Sequence, residues 1–168
     1  MRLIIRKEEH NDFQAIHDVT TAAFLEAPHA EHTEQLIVKA LRDSQALSIS
    51  LVAEDREQII GHVAVSPVTI SDGANGWYGL GPISVAPSRQ GKGIGSELMN
   101  VALEELKNIK AKGCVLLGDP NYYHRFGFKP LDNLVLPGVP LEYFQALILR
   151  GDCPQGSVSF HESFLVRG

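Results

Sequence analysis

Between residues 89 and 98 the chain reads RQGKGIGSEL, which sets Arg89 and Lys92 among Gly91, Gly93 and Gly95. A strand-like run ends just before this stretch and a helix-like run starts inside it. The first backbone N–H groups of a helix lack internal partners and carry a partial positive charge. Glycines there let a ligand reach those groups without meeting a Cβ. The expected chemistry is a phosphate or pyrophosphate cradle at a helix N-terminus; a plain connecting turn is the simpler alternative. Two common phosphate motifs fail on spacing. A P-loop needs Ser or Thr after its Gly-Lys pair, where this chain has Gly93, and a dinucleotide fingerprint needs a third glycine where it has Ser96. Asp119 could imitate the ribose-binding acid of the dinucleotide fold, but there the glycines follow the strand directly, and here "APSRQ" intervenes.

Other residues capable of chemistry carry weaker signals. HAEH at 29–32 gives His29 and His32 a His-x-x-His spacing, but a metal needs more convergent ligands in an ordered frame, so no metal is expected. His62, inside the apolar run IIGHVAV, reads as a hydrogen-bonded structural histidine, with a place in a substrate cleft as its alternative. Cys114 opens a buried strand and reads as a small hydrophobe.

The elements that must position these residues are legible as patterns. RLIIRK is a short first strand. Helices are expected over 11–25, with Asn11 as cap and Phe13, Ile16, Val19, Ala23 and Phe24 inward, and over 32–44, with Thr33 as cap and Leu36, Ile37, Ala40 and Leu41 inward. Residues 47–71 read as a hairpin turning at EDREQ, and 76–87 as a strand carrying Gly81 and Pro82. The longest helix spans 93–113, with Ile94, Leu98, Val101, Ala102, Leu106 and Ile109 as its stripe, Lys107, Lys110 and Lys112 near its end and Gly113 closing it. CVLLGD is a buried strand, NYYHRFGFKP a turn or short helix leading into another, and the last forty residues hold two or three more strands. The order is mixed, α+β, with one β-α-β crossover, and residues 1–168 read as a single domain.

Composition sets the outer limits. A net charge of −5 disfavours nucleic acid as a partner. No apolar run approaches the roughly 20 residues that span a bilayer, so no membrane partner is expected. The charged MRLIIRKEEH start is not a signal peptide. Two cysteines are too few for a disulfide framework, which points to a cytoplasmic location.

The run ISVAPSRQGKGIGSELM resembles the acetyl-CoA-binding segment of the GNAT N-acetyltransferase superfamily, whose pattern is Gln/Arg-x-x-Gly-x-Gly/Ala after a strand ending in Val-x-Pro. Val85, Pro87, Gln90, Gly93 and Gly95 occupy the matching places. "ALR" at 40–42, GLGPISV and LLGDPNYYHRFGF look like its YhbS-like branch, and the resemblance extends over most of the chain. It implies a central, mostly antiparallel twisted sheet of about six to seven strands, splayed between the fourth and fifth, with about four flanking helices.

It also implies acetyl-CoA as co-substrate and transfer of its acetyl group directly to a primary amine, on a small molecule or a protein. A non-catalytic CoA-binding module is the alternative. Backbone amides of Gln90, Gly91, Lys92, Gly93, Ile94, Gly95 and Ser96 would hold the pyrophosphate. The backbone of Ile83, Ser84 and Val85 would pair with the pantetheine arm as an added strand. Proline cannot donate to a ladder, so Pro82 marks an edge or a bulge; a bulge would open the slot for the thioester, and a plain edge-strand proline is the alternative. Tyr123, with Gly127 and Phe128 at the family's Tyr-x-x-x-Gly-Phe spacing, would protonate the departing thiolate; a phenol, pKa about 10, keeps its proton at neutral pH. Tyr122 is the backup, and a purely packed aromatic is the other reading of Tyr123.

Many relatives carry a glutamate base on the strand at 76–84, where this chain has no acid. Glu26, His29, Glu31, His32, Glu34, His124 or a water relay could substitute, and none is assigned. The polar HAEHTE segment suggests a cationic acceptor, and homodimers are common among relatives.

Overall fold

The computed structural model describes residues 1–28 and 30–167. In chain order the elements are β1 (Leu3–Lys7), α1 (Phe13–Phe24), α2 (Glu34–Asp43), β2 (Ile49–Asp55), β3 (Gln58–Pro67), β4 (Thr69–Ile70), β5 (Trp77–Val85), α3 (Ile94–Asn108), β6 (Gly113–Leu117), α4 (Pro120–Tyr123), β7 (Leu134–Val135), β8 (Phe144–Ile148) and β9 (Gly156–Ser159). Six strands form the main sheet in the order β1-β2-β3-β5-β6-β8, and β4, β9 and β7 form a small second one. All main-sheet pairs are antiparallel except β5 with β6, which α3 joins as the expected crossover. The strands expected as fourth and fifth are therefore β5 and β6, because the two-residue β4 belongs to the smaller sheet.

Alternation along the strands gives the sheet two covered faces. Leu51, Ala53, Val63, Val65 and Leu80 pack under Leu98, Met99, Ala102 and Leu106 of α3. On the other face Val52 and Ala64 pack under Ile16 of α1 and Val38 of α2. The α3 stripe is wider than expected: Met99 and Leu103 are buried, whereas Val101 is half-buried and Ile109 is 45% exposed. Val38 likewise replaces Leu36 and Ala40 on the buried face of α2, and Phe13, Ala23 and Phe24 of α1 are only half-buried.

Three expected helix ends differ. Asn11 does not cap α1; a 3-10 turn at His10–Asp12 precedes the helix, and the Asp12 carboxylate accepts from the Glu9 N–H at 2.7 Å. Thr33 occupies the cap position of α2 but makes no side-chain bond there. α3 stops at Asn108, where Lys110 takes a positive φ of 62°, and the N–H groups of Lys110 and Ala111 donate to the carbonyls of Lys107 and Leu106. That arrangement closes a helix without glycine. Gly113 instead opens β6, where a Cβ would strike the Trp77 ring. Gly113→Ala is expected to cost about 1–3 kcal/mol through overpacking, read as an earlier urea midpoint by Trp77 fluorescence.

The feature that matters for function is a gap in the sheet. β5 and β6 pair only at Trp77–Gly113, Tyr78–Cys114 and Gly79–Val115. From Leu80 to Val85, β5 has no strand neighbour on that side among the described residues. The cause lies on its other edge. Val63 pairs with Ile83 but Val65 with Leu80, so Gly81 and Pro82 bulge opposite Ala64 and turn the strand away from β6.

Candidate active site

The stretch from Arg89 to Ser96 lies between β5 and α3. Gly93 caps α3 with φ 83°, and Gly91 takes φ 77°. A Cβ at either position would meet nothing within 4 Å, so the backbone at these two glycines is not covered by packed protein on that side. Here the glycines serve backbone conformation: a side chain would be strained at these φ values.

A cavity of about 350 Å³ opens at this point, lined by Val85, Arg89, Gln90, Gly91, Gly93, Ile94, Gly95, Ser96, Tyr122 and Arg125. Seven of the expected ligand-binding residues meet here: Val85, Gln90, Gly91, Gly93, Ile94, Gly95 and Ser96. Ile83 and Ser84 stand just before it on the open edge of β5, and the Lys92 side chain is exposed outside it. Ile94 contributes backbone alone, since its side chain is buried in the core.

Several roles in this ring were not legible in the sequence. The Gln90 side chain donates to the Val85 carbonyl at 3.1 Å, tying the loop to the strand it follows. Arg89 is committed to Asp55, at 2.7 Å, and does not stand free as a cradle cation; this contact, with the Arg2 N–H, holds the Asp55 carboxyl below its ordinary pKa. Tyr122 and Ser96 share a hydrogen bond of 2.9 Å across the cavity. Arg125 lies over the Tyr122 ring at 4.3 Å and donates to the Tyr122 carbonyl at 2.8 Å. No spacing rule signals the Tyr122–Ser96 contact, because it joins α4 to α3 through space.

Tyr123 does not line this cavity and packs against the main core instead. Its ring lies against the backbone of Gly118, immediately beyond β6, where a Cβ would strike it. Phe126 and Phe128 hold its sides, with ring centroids 6.4 and 6.5 Å away. Among the described residues its hydroxyl has no hydrogen-bond partner. Burial, together with the neighbouring Tyr122 and Asp119, raises its pKa above the ordinary value, so the phenol stays protonated at neutral pH. Asp119 itself caps α4, accepting from the Asn121 N–H at 2.9 Å, which replaces the ribose-binding role weighed for it.

His62 is fully buried on the α1 face of β3. Its Nε2 lies 2.7 Å from Ser50 Oγ, and Ser50 donates to Glu8 Oε1 at 2.6 Å. Arg42 holds Glu8 with bonds of 3.0 and 2.8 Å. Burial works to raise the Glu8 pKa, but the bonds from Arg42 and Ser50 outweigh it and keep the group below its ordinary value. Desolvation pushes His62 down to about 4, so its ring is neutral near pH 7. Burial also raises the Cys114 thiol, in keeping with a packing role.

Among the described residues, the candidate bases around 26–34 are not gathered into a site. Glu34 accepts from the Glu31 N–H at 3.2 Å, and Glu31 lies 4.0 Å from Arg167 on the surface. His29 lies outside the described residues. His124 is exposed, with Nδ1 3.2 Å from the Pro120 carbonyl.

Comparison with known proteins agrees with this geometry. The family described as Acetyltransferase (GNAT) domain matches residues 46–130, which include β3, the bulged β5, the cradle, α3 and Tyr123. This chain belongs to the GNAT acetyltransferase family. It is 34% identical over 150 residues to the N-acetyltransferase YhbS of Escherichia coli strain K12, covering 84% of this chain and 89% of YhbS. Two solved structures share its fold. A GNAT family acetyltransferase from Brucella melitensis, in complex with acetyl-CoA, superposes with TM-score 0.87 at 47% identity over 97% of this chain and 98% of that one. Escherichia coli YhbS, in complex with CoA, superposes with TM-score 0.89 at 32% identity over 100% of this chain and 94% of that one. In the small sheet, the two-residue β4 and β7 flank β9 and leave the main sheet at six strands. Among the described residues, no helix is long and apolar enough to cross a membrane.

Proposed function

We propose that residues 1–168 act as one acetyl-CoA-binding domain that transfers the acetyl group directly to a primary amine. The observation that carries this reading is the open edge of β5 leading into a glycine turn with open space beside Gly91 and Gly93. Backbone groups of Ile83, Ser84 and Val85 would receive the pantetheine arm as an extra strand in the gap. The amides from Gln90 to Ser96 would hold the pyrophosphate at the start of α3, where helix dipole and unpaired N–H groups favour an anion.

Acetyl-CoA supplies an activated carbonyl with a thiolate leaving group. A backbone N–H near Val85 would meet the charge that develops on the carbonyl oxygen. Tyr123, protonated and without a partner among the described residues, would donate to the sulfur. The acceptor is a small-molecule or protein amine. We place the enzyme in the cytoplasm, where its two unpaired cysteines would stay reduced.

The test is a set of melting curves with acetyl-CoA, CoA, NADH and ATP in parallel. A ligand at 100 times its dissociation constant stabilises by about 2.7 kcal/mol, roughly 5–10 °C for a chain of this size. Shifts with acetyl-CoA and CoA alone are expected. A shift with NADH instead, or with none of the four, would sink the reading. One observation favours a second function: with no acid in residues 76–84, a CoA-binding module without transfer chemistry would look alike. Acetyl-CoA binding with no thiol release across an amine panel would select it.

A further inference from the structure

A row of polar side chains crosses the sheet beneath α1 and α2. It starts at Arg42 of α2 and passes through Glu8, at the end of β1, to Ser50 of β2 and His62 of β3. Ser84 of β5 stands directly opposite His62 in the strand register, so both side chains point to the same face. Beyond Ser84 is the open edge of β5, where the thioester is expected.

The row has a direction that its hydrogens define. Ionised Glu8 can only accept, so the Ser50 hydroxyl hydrogen is committed to it. His62 Nε2 must then donate to Ser50, which leaves Nδ1 carrying a lone pair. Among the described residues that buried Nδ1 has no hydrogen-bond partner, and neither has the buried Ser84 Oγ. Two such atoms on directly opposed residues stand out, because buried polar groups are nearly always paired. Cross-strand Cβ atoms lie about 4.5–5.5 Å apart, a span that the two side chains, or one bridging water, can close. At the far end, Glu8 and Ser50 line a surface opening of about 240 Å³, so the row reaches solvent there, while its other end, Ser84, is buried.

We infer that this row receives the proton released by the attacking amine, with Ser84 as the group at the gap and His62 as the positioning residue behind it. The inference rests on the acetyltransferase reading. The amine lone pair forms the N–C bond, the C–S bond breaks, and the sulfur takes a proton from Tyr123. The amine proton passes to Ser84 Oγ as that hydroxyl hands its own proton to His62 Nδ1. The resulting imidazolium is balanced through Ser50 by Glu8. Its buried ring returns the proton along the same path once the product has left, and the Tyr123 phenolate regains one from water. The row thus takes the place of the acid missing from β5.

The experiment measures thiol release from acetyl-CoA, with a panel of primary amines as the attacking group, in wild type, Ser84→Ala and His62→Gln. Acetyl-CoA affinity and melting temperature are recorded for each, and rates are compared in H2O and D2O. The introduced glutamine amide can still donate to Ser50 but cannot take up a proton. Expected are rates about ten- to a hundredfold lower in both variants, a changed solvent isotope effect, and unaltered affinity. Rates within about twofold of wild type in folded, ligand-binding variants would overturn the relay. So would loss of acetyl-CoA affinity in step with rate, which would make both residues structural. A wild type that binds acetyl-CoA but releases no thiol overturns the relay and leaves the cofactor site intact; failure to bind acetyl-CoA would sink the transferase reading itself.

Discussion

Replacing Tyr123 by Phe is expected to lower acetyl transfer about 100-fold while acetyl-CoA affinity stays nearly unchanged. The ring is held independently of its hydroxyl. Gly118 lies against one side, and Phe126 and Phe128 hold others. Removing one oxygen leaves that packing intact, and the hydroxyl bonds no described residue. What is lost is a proton donor whose pKa, raised by burial, keeps it loaded near neutral pH. Thiol release at saturating acetyl-CoA, set beside calorimetric binding of CoA, separates the two roles. A parallel fall in turnover and affinity would make Tyr123 a packing residue; unchanged turnover would move the acid elsewhere. Tyr122 is the natural comparison, because its hydroxyl already bonds Ser96 at the cradle. Tyr122→Phe should therefore weaken CoA binding more than it slows chemistry.

Folding stability is expected to fall by about 3 kcal/mol as pH drops from 6.5 to 4, chiefly through His62. The unfolded chain takes up this proton near the ordinary value of 6.5, whereas the folded chain resists it down to about 4, because burial disfavours the charged ring. Glu8 partly opposes that effect, and Arg42 adds to it. Between these values the unfolded state binds more protons, so acid favours unfolding; below the folded value the contribution is fully lost. Carboxyls held below their ordinary pKa, among them Glu8, Asp12, Asp55 and Asp72, lose their contributions at the acid end of this range and beyond. Urea melts at pH 7, 6 and 5 test the claim, with His62→Gln as control. A flat wild-type profile, or an unchanged slope in the variant, would show that the ring is not protected from protons.

Local chemistry was readable from residues alone wherever neighbours in sequence are neighbours in space. The cradle is such a place. Its strand, glycines and helix are contiguous, and the φ values of Gly91 and Gly93 are backbone requirements that side-chain type reveals. Pro82 announced the bulge for the same reason, since a missing N–H is a local fact. The resemblance to GNAT enzymes then supplied the mostly antiparallel sheet, splayed between its fourth and fifth strands, and an expected role for Tyr123.

Helix ends were less legible. The stop of α3 came with a non-glycine residue at positive φ, and the 3-10 turn leading into α1 is capped by an acid three residues along. In both cases a bonding pattern decided, and several residue types can satisfy it.

By itself, then, the sequence determined a glycine turn at a helix start, a proline-interrupted strand before it and a mixed α+β order, because each rests on contacts within one or two elements. Only the tertiary structure decided which side chains complete the site. Arg89 is committed to Asp55, 34 residues away, and Tyr122 reaches Ser96 across 26. His62, which reads as a satisfied core histidine, keeps one nitrogen unpaired opposite Ser84 because strand register brings them together. Register and burial follow from how the whole apolar pattern packs, so the polar row they create exists only once the sheet and its covering helices have formed.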